Sequence, residues 1–211
     1  LEYHEKYAET FPRFNVEFDN YGHTHDETNT ELTQEFVQSW IDNDHVVEKE
    51  IEVGYDPEAD QWLPDRFVEG TCPYCGEDAR GDECDEGCQR HLEPGEIENP
   101  TSTITGNPAE YRTRAHKFLR LSDFQDYLQS FIDRVEGTEN ARNQPREWIE
   151  GDLQDLCITR DMDWGIDYPG EETGDGEEEF VLYVWVDAPI EYVASTKQFS
   201  ERVGRDTYAW E

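Results

Sequence analysis

An α/β fold interrupted by a metal-clipped segment is what this sequence predicts, and three observations carry the expectation. Three stretches repeat apolar residues at the 3.6-residue helical spacing. Others alternate apolar and polar residues, or run apolar without a break, as strands do. Between them, residues 57–100 are rich in Gly, Pro and Asp, show little periodicity, and hold four of the five cysteines.

The elements follow in order. Residues 1–18 open as a polar helix and pass into FNVEF (14–18), whose alternation predicts a short strand. Thr28 and Glu31 have capping-box spacing, ahead of a stripe of Leu32, Phe36, Val37, Trp40 and Ile41; this helix should stop near Asn43. Val47, Lys49, Ile51 and Val53 then alternate as a strand. A second helix is predicted from Ser122, with Gln125 completing a capping box. Its stripe is Phe124, Tyr127, Leu128, Phe131, Ile132 and Val135, and Gly137 ends it. A third begins near Pro145, with Trp148, Ile149, Leu153 and Leu156 on one face. The acidic run GEETGDGEEE (170–179) reads as a solvated loop. It leads into FVLYVWV (180–186), a buried strand expected in a parallel sheet. Pro189 then opens a last helix.

The chain has 211 residues, 35% hydrophobic and 13% aromatic, too aromatic for a wholly disordered segment. Its formal charge of -35 comes from 52 acidic against 17 basic residues spread along the chain. A disordered acidic segment would lack the amphipathic helices, so the expectation is a folded, halophilic protein of the cytoplasm. At ~1 M salt the Debye length falls to ~3 Å and screens the self-repulsion. No run approaches the roughly 20 apolar residues of a membrane span, and no signal peptide is visible. The chain starts Leu1-Glu2-Tyr3 without an initiating Met, as an excised piece of a longer protein would.

The cysteines stand as Cys72-x2-Cys75 and, eight residues on, Cys84-x3-Cys88. Two such pairs can surround one Zn2+ tetrahedrally. Gly76 lets the first pair turn as a knuckle; the second carries an extra residue, and His91 is a substitute ligand. Disulfides or free thiols are the alternatives, although close cysteine pairs in a chain with no sign of an oxidising compartment more often bind metal. Four sulfurs leave no open position for water, so the metal is expected to be structural. Cys157, in the apolar context LCIT, reads as a buried thiol.

Residues 55–88, YDPEADQWLPDRFVEGTCPYCGEDARGDECDEGC, resemble the connective-peptide region of methionyl-tRNA synthetases, most closely at LPDRFVEGTCPYC (63–75). The resemblance continues in FDNYGHTHDETNTELTQEF (18–36), ENPTSTITGNPAEYRTRAHKFLRL (98–121), ITRDMDWGI (158–166) and VLYVWVDAPIEYVAST (181–196), in the family's order. It implies a class I synthetase whose Rossmann-type catalytic domain is interrupted by a zinc-knuckle connective-peptide domain. Residues 1–42 would end the first half of that domain. Residues 43–158 would be the connective peptide, with its knuckle at 72–88, and 159–211 would start the second half.

The implied chemistry is activation of methionine by ATP, with Mg2+, to methionyl-adenylate, then transfer to tRNA(Met). Neither DNA nor a membrane is an expected partner. The resemblance places Trp185, Ala188, Pro189 and Tyr192 in the methionine pocket and gives Arg160 a role in activation. From the residues alone, Trp185 would be a core residue, and Arg160–Asp161 a surface ion pair of little worth. His23 and His25 form an HxH pair with no evident third ligand; solvated loop histidines are the default reading.

Departures from the family also show. Its His-Ile-Gly-His and Lys-Met-Ser-Lys-Ser elements are absent, so the isolated chain is expected to be inactive. Asp56 and its neighbours stand without cysteines where some members begin a second knuckle, which predicts one zinc. Glu191 occupies a position usually glycine in the family. The competing reading is a zinc-stabilised module that binds RNA or protein without catalysis. A chain without a basic stripe argues against tRNA binding by this piece alone.

Overall fold

The computed structural model describes residues 1–81, 83–90, 92, 95–151, 153–170 and 180–205. His91 and residues 171–179 of the acidic run lie outside the described residues.

Helix α1 spans Glu2–Thr10 and buries no residue. The expected strand at 14–18 does not form. Pro12 instead favours a 3-10 turn at Phe11–Phe14, which Asn15 closes with a left-handed φ of 57°. Helix α2, Glu27–Asp42, is capped two residues earlier than the sequence suggested: the Asp26 carboxylate accepts from the Asn29 amide at 2.8 Å. Its buried face is Asn29, Thr33 and Val37, with Trp40 and Ile41 packed beside them, so Phe36 turns outward.

Strand β1, Val46–Asp56, leaves α2 and pairs antiparallel with β6, Glu110–Leu119, from Val46 opposite Leu119 to Tyr55 opposite Glu110. These two strands form an arm. At its far end β2 (Gln61–Leu63) pairs with β1, and the chain then builds a separate sheet before returning. That sheet joins β3 (Val68–Thr71), β4 (Asp78–Arg80) and β5 (Glu98–Ser102) in the order β4-β3-β5. Its core is Leu63, Val68, Cys72, Ala79, Cys84, Leu92, Ile97 and Ala109. Residues 57–100, which showed no periodicity, therefore carry strands too short to register as a pattern.

After β6 a 3-10 turn at Leu121–Phe124 leads into α3, Gln125–Arg134. The expected capping box is not made there: the Gln125 side chain donates instead to the Ile149 carbonyl at 2.9 Å, tying α3 to α4. Helix α4 covers Glu139–Glu150 and is capped by Thr138, so it starts ahead of Pro145 and contains it. Of the predicted apolar face only Ile149 is buried; Trp148 is exposed, and Leu156 belongs to β7 (Leu156–Cys157).

β7 completes a four-stranded sheet of order β2-β1-β6-β7. β8 (Thr159–Arg160) pairs antiparallel with β9 (Val181–Leu182). The parallel strand expected over 180–186 is thus two residues long and antiparallel. Phe180, Val181 and Leu182 are buried without a break, but from Val186 burial recurs every fourth residue, through Ile190 and Ala194. Helix α5 accordingly begins at Val184 and runs to Arg202, with Pro189 in its second turn rather than at its start. α5 lies against α2, and both close on a core of Val37, Leu119, Ile158, Ile166, Tyr168, Phe180, Leu182 and Val186. Mixed helix and sheet, with a cysteine-bearing module carried on an arm, is the α/β organisation the sequence predicted.

Candidate functional site

The four cysteines come together at the tip of the arm. Cys72 follows β3 and folds back through two backbone bonds, Cys72 N–H to the Glu77 carbonyl (2.8 Å) and Gly76 N–H to the Cys72 carbonyl (2.9 Å). Gly76 adopts φ 78°, which only glycine takes without strain. The second turn absorbs its extra residue by reaching one position further: Gln89 N–H bonds the Cys84 carbonyl at 3.0 Å, and Gln89 takes the left-handed φ of 56°. The irregular spacing is therefore accommodated by a wider turn. A Cβ on Gly87 would lie 2.6 Å from the Cys75 sulfur and 3.0 Å from that of Cys84, so only glycine lets this loop rest on the ligands.

All four sulfurs lie within 4.8 Å of one another. Cys72 and Cys88 are 3.8 Å apart, and Cys75 and Cys84 3.6 Å. A tetrahedral metal with Zn–S near 2.3 Å sets its sulfurs about 3.8 Å apart, so the cluster fits zinc. Every cysteine is free, and the sulfurs stand farther apart than the ~2.05 Å of an S–S bond. The Glu77 amide draws the Cys75 thiol down to about 7, whereas burial pushes Cys84 up to about 11. Metal binding must therefore displace a proton that burial holds on Cys84. Cys72 and Cys84 are buried while Cys75 and Cys88 face solvent.

The residues assigned to substrate fall elsewhere. Trp185, Ala188, Pro189 and Tyr192 sit on α5 at offsets of three, four and seven, and so share one face. That face is opposite the buried Val186–Ile190–Ala194 face; Trp185 is 66% exposed and Tyr192 77%. The expectation from apolar context, a core tryptophan on a strand, does not hold. Pro189 has no N–H to offer the Trp185 carbonyl, which loosens the helix beside the indole.

Arg160 lies near the start of the same helix. Its guanidinium stacks on the Tyr183 ring at 4.0 Å, and Nη1 donates to the carbonyls of Thr159 (2.9 Å) and Cys157 (3.2 Å). The surface Arg160–Asp161 pair expected from sequence is replaced by a different one. Asp161 turns inward, 2.6 Å from Arg114 and 3.1 Å from His116, with its side chain 7% exposed. Sequence reasoning missed this network. Its signal was Arg114-x-His116, two ionisable residues on one face of a strand in a chain poor in bases. A cavity of about 350 Å3, lined by His116, Phe118, Thr159, Arg160 and Tyr183 among others, runs from this network toward Leu92 of the cysteine module. The four α5 residues do not line it.

His23 and His25 do not converge on a metal. His23 stands edge-on to His4, His25 lies by Trp164, and among the described residues only the cysteines form a metal-holding group. Glu191 faces away from the Trp185 surface, packed so closely on Gly22 that a Cβ there would collide with its carboxylate. Burial, then the nearby Asp26 charge, pushes Glu191 up to about 7.

With this geometry in hand, residues 1–211 match the family described as tRNA synthetases class I (M). The methionine–tRNA ligase of Natronomonas pharaonis is 82% identical over the whole chain, which covers 30% of that protein. That of Haloarcula marismortui is 80% identical, again over the whole chain and over 29% of the relative. Both come from halophilic archaea, in keeping with the acid-rich composition. The chain thus spans about 30% of the length of the curated relatives it matches. A solved Mycobacterium tuberculosis methionyl-tRNA synthetase in complex with methionyl-adenylate shares the fold. It has a TM-score of 0.56 at 21% identity, over 91% of this chain and 32% of that one. The chain belongs to the methionyl-tRNA synthetases of class I and corresponds to a partial region of these relatives.

Proposed function

We propose that the polypeptide containing this chain activates methionine with ATP and Mg2+ to methionyl-adenylate in the cytoplasm and transfers it to tRNA(Met), and that this region supplies one wall of the methionine pocket. The observation that carries the reading is the α5 face: Trp185, Ala188, Pro189 and Tyr192 aligned, all but the half-buried Ala188 exposed, with Arg160 against Tyr183 at the head of the helix. An indole beside a thioether gains about 0.3–1.5 kcal/mol, which favours methionine over isosteres lacking sulfur. Ala188 and Pro189 are small enough to let the side chain approach, and Tyr192 closes the lower edge. Arg160 has the charge and planar fork to oppose negative charge on a carboxylate or phosphoryl group as the carboxylate attacks the α-phosphate.

In this reading residues 1–42 end the first half of the Rossmann-type domain, 43–158 are the connective peptide, and 159–211 start the second half. Supporting it, the arm departs directly after α2, touches the α2–α5 core again at Leu119, and from Ile158 onward the chain supplies most of that core. Cys72, Cys75, Cys84 and Cys88 hold one structural zinc, which when bound cross-links the two turns of the module.

Methionine-dependent ATP–pyrophosphate exchange at high salt tests the proposal. The full-length enzyme should turn over, R160Q and W185A should each lose at least about tenfold in kcat/KM, and the isolated chain should be silent. Exchange by the isolated chain, or a fully active R160Q, would overturn it.

A further inference from the structure

We propose that His116, Thr159 and Asp161 form a buried clamp that positions Arg160 for the activation step; the inference rests on Arg160 being the arginine that meets the reacting groups. In an extended segment, side chains alternate, so Thr159 and Asp161 point to one side and Arg160 to the other. The side that Thr159 and Asp161 share is sealed: Thr159 is 0% exposed and His116 2%. His116 reaches across from β6 and touches both neighbours of the arginine, Thr159 Oγ1 at 3.0 Å through Nδ1 and Asp161 Oδ2 at 3.1 Å through Nε2.

Thr159 Oγ1 also accepts from the Lys117 backbone N–H at 3.1 Å, so its hydroxyl joins the β6 backbone to His116 Nδ1. His116 Nε2 and both Asp161 oxygens are buried and have no aligned hydrogen bond among the described residues, so the ring meets Asp161 as a close polar contact. The other Asp161 oxygen meets Arg114 at 2.6 Å, and the Phe180 ring covers both Arg114 and His116, with centroid distances of 5.2 and 4.9 Å. Each member is therefore held by another, and the segment 159–161 is pinned to β6 through side chains on either side of residue 160.

The consequence falls on Arg160, because its guanidinium is anchored on the backbone it follows. Nη1 donates to the Thr159 and Cys157 carbonyls, so any movement of that segment moves the cation. A charged fork acts on a transition state only if its geometry is held, and a displacement of about 1 Å can cost about 100-fold in rate. The acid–base character of His116 is not what the clamp uses. Its shape, with two ring nitrogens spanning residues i and i+2, is.

Steady-state exchange kinetics in the full-length enzyme test this. T159V keeps the shape of Thr159 and removes the hydroxyl, and T159S restores it. T159V should lower kcat about 10- to 100-fold while the methionine KM changes less than about twofold, and T159S should stay within about threefold of the parent. H116F should behave as T159V does, with H116Q, which keeps a polar group within reach of Thr159, partly restored. In an R160Q background, T159V should cost less than about twofold, because residues acting through one group are not additive. Thermal unfolding and zinc content, measured on each variant, identify any that fail to fold; T159V, the least disruptive, decides the question. A T159V enzyme with unchanged kcat overturns the clamp. So does the same loss in the presence and absence of Arg160, since that is the mark of a purely structural defect. An R160Q enzyme that is fully active instead removes the arginine assignment itself.

Discussion

Two inaccessible carboxylates show how much a single residue's surroundings decide. Asp56 is fully buried yet held down at about 2, chiefly by the Ser102 hydroxyl, with the Ala59 and Glu58 amides and Thr105 adding further donors. Its folded value lies below the unfolded one, so it stabilises the fold above about pH 4 and loses that contribution as pH falls toward 2. Glu191 has no such donors: both its oxygens are buried without a hydrogen-bond partner among the described residues. Burial raises its folded value to about 7 from the ordinary 4.5, so stability is lost as pH rises from 4.5 to 7 and is flat beyond. E191Q should therefore be more stable than the parent at pH 8, with the gap closing at pH values below about 4.5. Denaturant unfolding of both chains across that range, at fixed high salt, reads the difference; a gap independent of pH would show that Glu191 is not desolvated. Neither behaviour was legible in the sequence, where both are acids in an acidic chain. The Glu58 and Ala59 amides are local to Asp56, but its hydroxyl donors Ser102 and Thr105 come from more than 40 positions away.

At the scale of the element, the cysteine module and α5 were read with opposite success. The module was legible because its cysteines are local, and four of them within 17 positions announce themselves whatever fold surrounds them. Its strands are only three to five residues long and two of its eight core residues are cysteines, so a metal bound there would add much to a small core. C84S should abolish stoichiometric zinc and remove amide-exchange protection from residues 61–109, leaving the α2–α5 core protected. G87A should weaken zinc binding with the fold intact, since its methyl meets the Cys75 sulfur. Exchange mass spectrometry and metal titration check both, and protection retained in zinc-free C84S would show that the module's own core suffices. α5 was misread because FVLYVWV is apolar throughout, and a short apolar run does not distinguish strand from buried helix. The change of period at Val186 is visible only once burial is known, because Trp185 is an apolar residue on an outward face.

For the whole molecule, charge and topology set the conditions under which these parts work. With a formal charge of -35, lowering salt from ~1 M to ~0.01 M lengthens screening from ~3 Å to ~30 Å and brings acids along the chain into mutual repulsion. The unfolding midpoint should fall steeply over that change, and a variant carrying ten exposed Glu→Gln changes should lose much of the dependence; thermal scans in KCl measure it. The sequence by itself determined the cysteine cluster that could hold a metal, the acid-rich composition, the mixed helix and strand content, and the resemblance that carries the family. Those depend on residue identity and on neighbours a few positions apart. Only the tertiary structure decided that 180–186 turns from strand to helix, that Asp161 faces inward to Arg114 and His116, and that Trp185 and Tyr192 share one uncovered surface. Each of these follows from contacts between segments 40 or more residues apart or from which face the core covers, and local composition carries no record of either.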